Sequence, residues 1–199
     1  MKAVLYLRTG REKSPLLRHP WVFSQAVEKV HGAPEPGDVV CVKSAGGEFL
    51  AWGFWNPRSQ IALRLLEWTQ EREINREWWR ERLAQAIARR ASLLANPSLT
   101  ACRLVYSEAD LLPGLIVDKY GEYLVLQALS IGIERLKPML AELLMELTSA
   151  KGIYERSDVE VRKLEGLDPT AGPLLGDVPP RVEILEHGHR FLVDIAAGQ

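Results

Sequence analysis

The sequence predicts an α+β fold in three parts: a small N-terminal β-barrel over residues 1–72, a linking helix over 73–98, and a β-β-α-β-β domain over 99–199. Three observations carry this reading. The first third is a series of short β-rich runs separated by Gly and Pro clusters, a helical stripe of apolar residues follows and stops at Asn96-Pro97, and the remainder alternates strand and helix patterns.

In the first part, Val4–Leu7, Asp38–Lys43, Glu48–Trp55 and Gln60–Glu67 are the β-rich runs, and Ala45-Gly46-Gly47 reads as a hairpin turn because glycine reaches positive φ without strain. So many short strands in so few residues avoid open edges by closing on themselves, which is the reason to expect a barrel. The helix starts at an Asn75 cap with Glu77 in its first turn, and Trp79, Leu83, Ala86, Ile87, Ala91 and Leu94 recur at helical spacing. Arg76, Arg80, Arg82, Arg89 and Arg90 lie on its other face, as a solvated surface or a secondary RNA contact. Trp78 cannot share a face with Trp79, so one of the two is expected to pack on a neighbouring domain.

In the third part, Ala101–Tyr106, Leu115–Asp118 and Tyr123–Leu129 read as strands. Leu136, Leu140, Leu143, Leu144 and Leu147 trace a helix with Pro138 expected in its first turn, where a missing N–H costs nothing. Ile153–Arg156 is a short strand, and Val182–Leu185 with Phe191–Ile195 forms a hairpin around His187-Gly188. Alternation places Cys102, Leu104 and Tyr106 together on one strand face, so Cys102 is expected to be a core thiol.

At 199 residues with 47% apolar and 26% charged side chains, the chain has the composition of a globular protein with one large core or two small ones. No apolar stretch reaches the roughly 18–20 residues of a membrane span, and Met1-Lys2-Ala3-Val4 reads as a strand start instead of a signal peptide, so the expected location is the cytoplasm. Cys41 and Cys102 have no second Cys or His at metal spacing and read as buried thiols. The charge is asymmetric. Residues 1–100 hold 15 basic against 10 acidic residues, a net +5, and residues 101–199 hold 10 against 16, a net −6. Polyanion binding is therefore expected in the first half.

The residues that fit phosphate contact are Arg11, Lys13, Arg18 and His19, which precede the apolar Trp21-Val22-Phe23 run, with Arg58 and Arg64 beside the aromatic Trp52, Phe54 and Trp55. Trp21 suits either a core position or stacking on an unpaired base, and Phe23 is expected to anchor the basic segment. Asn56-Pro57-Arg58-Ser59 reads as an RNA-facing rim. Glu108, Asp110 and Asp118 invite a metal reading, but no fixed ligand loop accompanies them, and they are expected to brace turns. In the segment Tyr154–Gly166, a self-neutralising ion-pair network competes with RNA contacts from Arg156, Arg162 and Lys163. No catalytic, cofactor-binding or metal-ligating residue is expected in this chain, since no P-loop, GxGxxG or Ser-His-Asp arrangement is present.

The run from Gly10 to Phe23 followed by Gly37-Asp38-Val39-Val40, then the runs from Ser107 to Gly121 and from Tyr154 to Gly166, then Phe191-Leu192-Val193-Asp194-Ile195, occur in the order found in one family. The chain resembles the PUA domain and middle domain of the large-subunit (23S) ribosomal RNA methyltransferase I family, which makes 5-methylcytosine with S-adenosylmethionine. The resemblance implies a PUA-like barrel, ribosomal RNA as partner, and S-adenosylmethionine as cofactor of the full-length family but not of this chain. From the residues themselves no metal and no membrane partner is expected, and a homodimer is left open. In that family the Val-Asp-Ile segment leads into a Rossmann-like methyltransferase domain, so the expectation is that this domain is missing here and that the chain alone is inactive. A stand-alone RNA-binding or ribosome-assembly module, or a scaffold that uses its tryptophans for protein contact, are the competing readings.

Overall fold

A computed structural model describes residues 3–197; Met1 and Lys2, part of the expected N-terminal strand start, and Gly198 and Gln199 lie outside the described residues. The first unit contains β1 (Val4–Leu7), a one-turn α1 (Lys13–Leu16), β2 (Trp21–Val22), β3 (Val27–His31), β4 (Val39–Lys43), β5 (Phe49–Trp55) and β6 (Leu63–Glu67). These strands form one six-stranded sheet in the order β2-β6-β5-β4-β1-β3, antiparallel except for the β1–β4 pair. The sheet curls into a half-barrel but does not close as expected; β2 and β3 are its two edges. Leu5, Leu7, Val40, Val42, Leu63 and Leu65 fill its concave side. The edge β3 carries little apolar alternation and exposes Glu28 and Lys29, a pattern that discourages edge-to-edge pairing and hides the strand in the sequence.

The expected linking helix is two pieces, α2 (Arg76–Ala88) and α3 (Ala91–Leu94), with Arg90 between them out of helical geometry. Asn75 caps α2 through its side chain, which accepts from the Trp78 amide at 3.0 Å. Both Trp78 and Trp79 are buried. Trp78 donates to Glu67 of β6 at 3.0 Å, and Trp79 stacks on Phe54 of β5 with ring centroids 5.9 Å apart.

The second unit comprises β7 (Ala101–Tyr106), β8 (Leu115–Tyr120), β9 (Tyr123–Ala128), α4 (Ile131–Thr148), β10 (Gly152–Ser157) and β11 (Thr170–Gly176), followed by the hairpin β12 (Arg181–Glu186) and β13 (His189–Asp194). Its main sheet runs β11-β10-β9-β8-β7, so three strands precede the helix and two follow, in place of the expected β-β-α-β-β order. β11 escapes the sequence pattern because it contains Gly172 and Pro173, tolerated where the strand bulges at the sheet edge. The β12–β13 turn is a two-residue one with His187 and Gly188 both at positive φ, the geometry that matches strand twist.

Two further expectations are corrected. α4 begins at Ile131 after Ser130, so Pro138 sits in the helix interior, where it has no N–H for the carbonyl four residues earlier. A bulge between Arg103 and Val105 breaks the alternation of β7, so Leu104 and Val105 are both buried, while Cys102 is only half-buried and Tyr106 is exposed.

The two units share one core. Phe54 and Leu66 of the first join Trp78, Trp79, Leu83, Leu104, Leu126, Ile133 and Leu140 of the rest. Gly132 of α4 makes this approach feasible: a Cβ there would lie 2.3 Å from the Phe54 ring.

Candidate nucleic-acid interface

The segment from Gly10 to Trp21 is held by its own backbone. The Arg11 amide donates to the Arg8 carbonyl at 3.0 Å, the His19 amide to the Ser14 carbonyl at 3.0 Å, and the Ser14 hydroxyl to the Trp21 carbonyl at 2.9 Å. Arg18 adopts φ 56°, a left-handed conformation uncommon outside glycine. The result is a groove of about 490 Å³ whose walls include Arg11, Lys13, Leu17, His19, Trp21 and Phe23. Leu17 is 70% exposed and Phe23 47%, so Phe23 does not anchor the segment as expected; it presents its ring to solvent. Aromatic and aliphatic exposure beside cations is a pattern of nucleic-acid surfaces.

Ion pairing divides the chain sharply. Among the described residues, Arg8, Arg11, Lys13, Arg18, Lys29, Lys43 and Arg58 have no carboxylate partner, and all belong to the first unit. From Arg64 onward every Lys and Arg except Lys119 lies in an ion pair. Lys119 donates to the Gly121 carbonyl instead. The arginines of α2 and its C-terminal turn are thus committed within the protein: Arg76 to Glu142 and Glu146, Arg82 to Glu67, Arg89 and Arg90 to Asp110. Arg162 is fully buried against Glu134, and Arg156 grips Asp158, so the ion-pair network prevails in that segment.

Arg64, expected at a phosphate contact, is committed to two carboxylates within the protein. Its guanidinium reaches Glu165 at 2.8 Å and Glu108 at 3.3 Å, with only 12% of the side chain exposed. Glu165 also accepts from the Ser59 hydroxyl at 2.8 Å and the Asn56 amide at 3.0 Å. The expected RNA-facing rim at 56–59 is therefore mostly an inter-unit joint, from which Arg58 alone extends as an exposed cation. Trp21 is fixed across the same joint, its indole N–H donating to Glu108 at 2.8 Å. Phe54 is buried, Trp55 packs on the concave core, and Trp52 donates to the Gln70 carbonyl. Of the acidic trio, Asp110 holds Arg89, Arg90 and the Tyr106 amide, Glu108 holds Trp21 and Arg64, and Asp118 holds Arg103. Among the described residues no three His, Cys, Asp or Glu side chains group as metal ligands.

Burial opposes the charge on Glu165, but Arg64, Asn56 and Ser59 outweigh it and hold its pKa below the usual carboxylate range. The same balance lowers Glu67, through Trp78, the Thr69 and Trp68 amides and Arg82, and Glu134, through Lys137 and Arg162. A depressed folded pKa contributes stability that is present above the unfolded value of about 4.3 and is lost as pH falls through the folded value. Thermal midpoints should therefore be level between pH 8 and 6 and fall progressively below about pH 5. A midpoint unchanged down to about pH 3 would contradict this account of the joint.

Residues 5–68 match the profile of a PUA-like domain. Over its full length the chain is 46% identical to ribosomal RNA large subunit methyltransferase I of Tolumonas auensis and 44% identical to that of Erwinia tasmaniensis, covering 50% of each. The chain spans half the length of the curated relatives it matches. Two solved structures share the fold: a Streptococcus mutans protein assigned as a SAM-dependent methyltransferase, 18% identical with a TM-score of 0.80, and a second protein assigned as a methyltransferase, complexed with SAH, 17% identical with a TM-score of 0.82. The chain is covered fully in both and spans 50% and 49% of them.

Proposed function

We propose that this chain is the RNA-binding and scaffolding portion of a SAM-dependent methyltransferase that acts on large-subunit ribosomal RNA in the cytoplasm. The observation that carries the reading is the concentration of unpaired cations in the PUA-like unit, from Arg8 to Arg58, on a chain that matches large-subunit methyltransferases end to end. Arg11, Lys13, Arg18, His19 and Arg58 contact the phosphates, and the second unit holds this surface at a fixed angle through Glu165 and Glu108. By the family resemblance, the acceptor is C5 of a cytosine, attacked at C6 by a cysteine thiolate.

Neither the cofactor nor that thiolate fits the residues described. The crossover from β9 into α4 passes through Leu129 and Ser130 without a glycine loop, and the Phe54 ring occupies the space over Gly132. Burial raises the thiol pKa of both Cys41 and Cys102, the opposite of what a nucleophile needs. The 199-residue chain should therefore neither bind S-adenosylmethionine nor methylate RNA. Isothermal calorimetry that found stoichiometric cofactor binding would overturn this part of the reading.

A further inference from the structure

The convex face of the first sheet carries a second group of cations away from the loop groove. Register places Tyr6 of β1 directly opposite Lys29 of β3 on one side and Lys43 of β4 on the other, and Lys43 opposite Phe49 of β5. These four side chains form one row across four strands, on the face opposite the buried Leu5, Leu7 and Val42. Tyr6 is partly exposed and meets the His31 ring edge-on at 5.3 Å. Neither lysine has an ion pair, and Glu28, the acidic residue of β3, is the extra residue of the bulge between the Tyr6–Lys29 and Leu7–Val27 pairs. Glu48 is the nearest acidic residue in sequence to Phe49 and lies in the turn between β4 and β5.

Two unpaired lysines on either side of an aromatic ring make a poor protein core and a good surface for a strand that offers both phosphates and flat bases. From this row and its charge, the structure assigns the convex face of β3, β1, β4 and β5 as a second contact surface, for single-stranded RNA. It is continuous with the loop: Arg8, the residue that follows β1, is exposed and unpaired, and leads into Gly10 and Arg11. An RNA strand held by the groove would continue over Arg8 onto Tyr6. The inference rests on the RNA-binding reading above and extends it to a track longer than the groove.

The test is fluorescence anisotropy of the 199-residue chain with a fluorescein-labelled oligouridylate of about 20 nucleotides over a salt series, for Tyr6→Leu, Tyr6→Phe, the pair Lys29→Gln with Lys43→Gln, and the triple Arg11→Glu, Lys13→Glu, Arg18→Glu. Tyr6→Leu should weaken binding roughly 5- to 100-fold with the salt slope unchanged, whereas Tyr6→Phe, which keeps the ring, should bind as wild type. The lysine pair should lower the slope by about 1.4. Wild-type binding by Tyr6→Leu and the lysine pair, with loss confined to the loop triple, would overturn the second surface alone. Failure of the wild-type chain to bind the oligomer would overturn the RNA reading itself.

Discussion

Charge reversal at Arg11, Lys13 and Arg18 is expected to cut RNA affinity roughly 10²-fold near 0.1 M salt and to flatten its salt dependence by about 2 to 2.7. Each side chain is exposed and lacks a carboxylate partner, so all three positive charges remain available to phosphate. Each lost phosphate contact removes about 0.7 to 0.9 from the slope, and that slope measured between 0.1 and 1 M salt is the affinity change itself. Stability should change by no more than about 0.5 kcal/mol per site, because the segment is held by backbone hydrogen bonds that do not involve these side chains. Filter binding or anisotropy across a salt series reads both quantities. Wild-type affinity and slope in the triple variant would remove the groove as the RNA site.

Glu165→Ala is expected to be strongly destabilising, at about 3 kcal/mol, the low end for breaking a buried pair because Arg64 keeps Glu108. The residue is 2% exposed, and its loss leaves the Ser59 hydroxyl without its carboxylate, the Arg64 guanidinium with Glu108 alone at 3.3 Å, and the Asn56 amide with only the main-chain carbonyl of residue 165. Weakening a buried ion pair costs more than breaking a surface one, so Glu122→Ala, which releases only exposed Lys151, should cost no more than about 1 kcal/mol. Because the units share one core, both variants should melt in a single transition, with the midpoint moving about 2–4 °C per kcal/mol. Denaturant unfolding that placed Glu165→Ala within about 1 kcal/mol of wild type would contradict the inter-unit joint.

The sequence exposes those features that depend on neighbours along the chain. The β-rich composition of the runs that form β4 and β5, the Asn75 cap and the His187-Gly188 turn are local signals, and the structure follows them. The cation run at Arg11–Arg18 was legible for the same reason. What escaped depends on distant partners. Arg64 looked like an RNA contact because nothing near it in sequence neutralises it; its partner Glu165 is 101 residues away. Arg162 looked accessible, yet α4 supplies Glu134 to bury it. Edge strands were also hidden, since β3 and β11 need no apolar alternation on a face that meets water. The break between α2 and α3 follows from Asp110, which binds both arginines at the junction, a long-range pairing that helical periodicity does not record.

The most direct measurement is amide hydrogen exchange of the chain with and without bound single-stranded RNA, read peptide by peptide. Added protection is expected in the segments 8–31 and 43–49 and around Arg58, where the unpaired cations lie, and none in 101–195, where nearly every cation is already paired. Protection centred on 101–195 with the first unit unchanged would contradict this expectation.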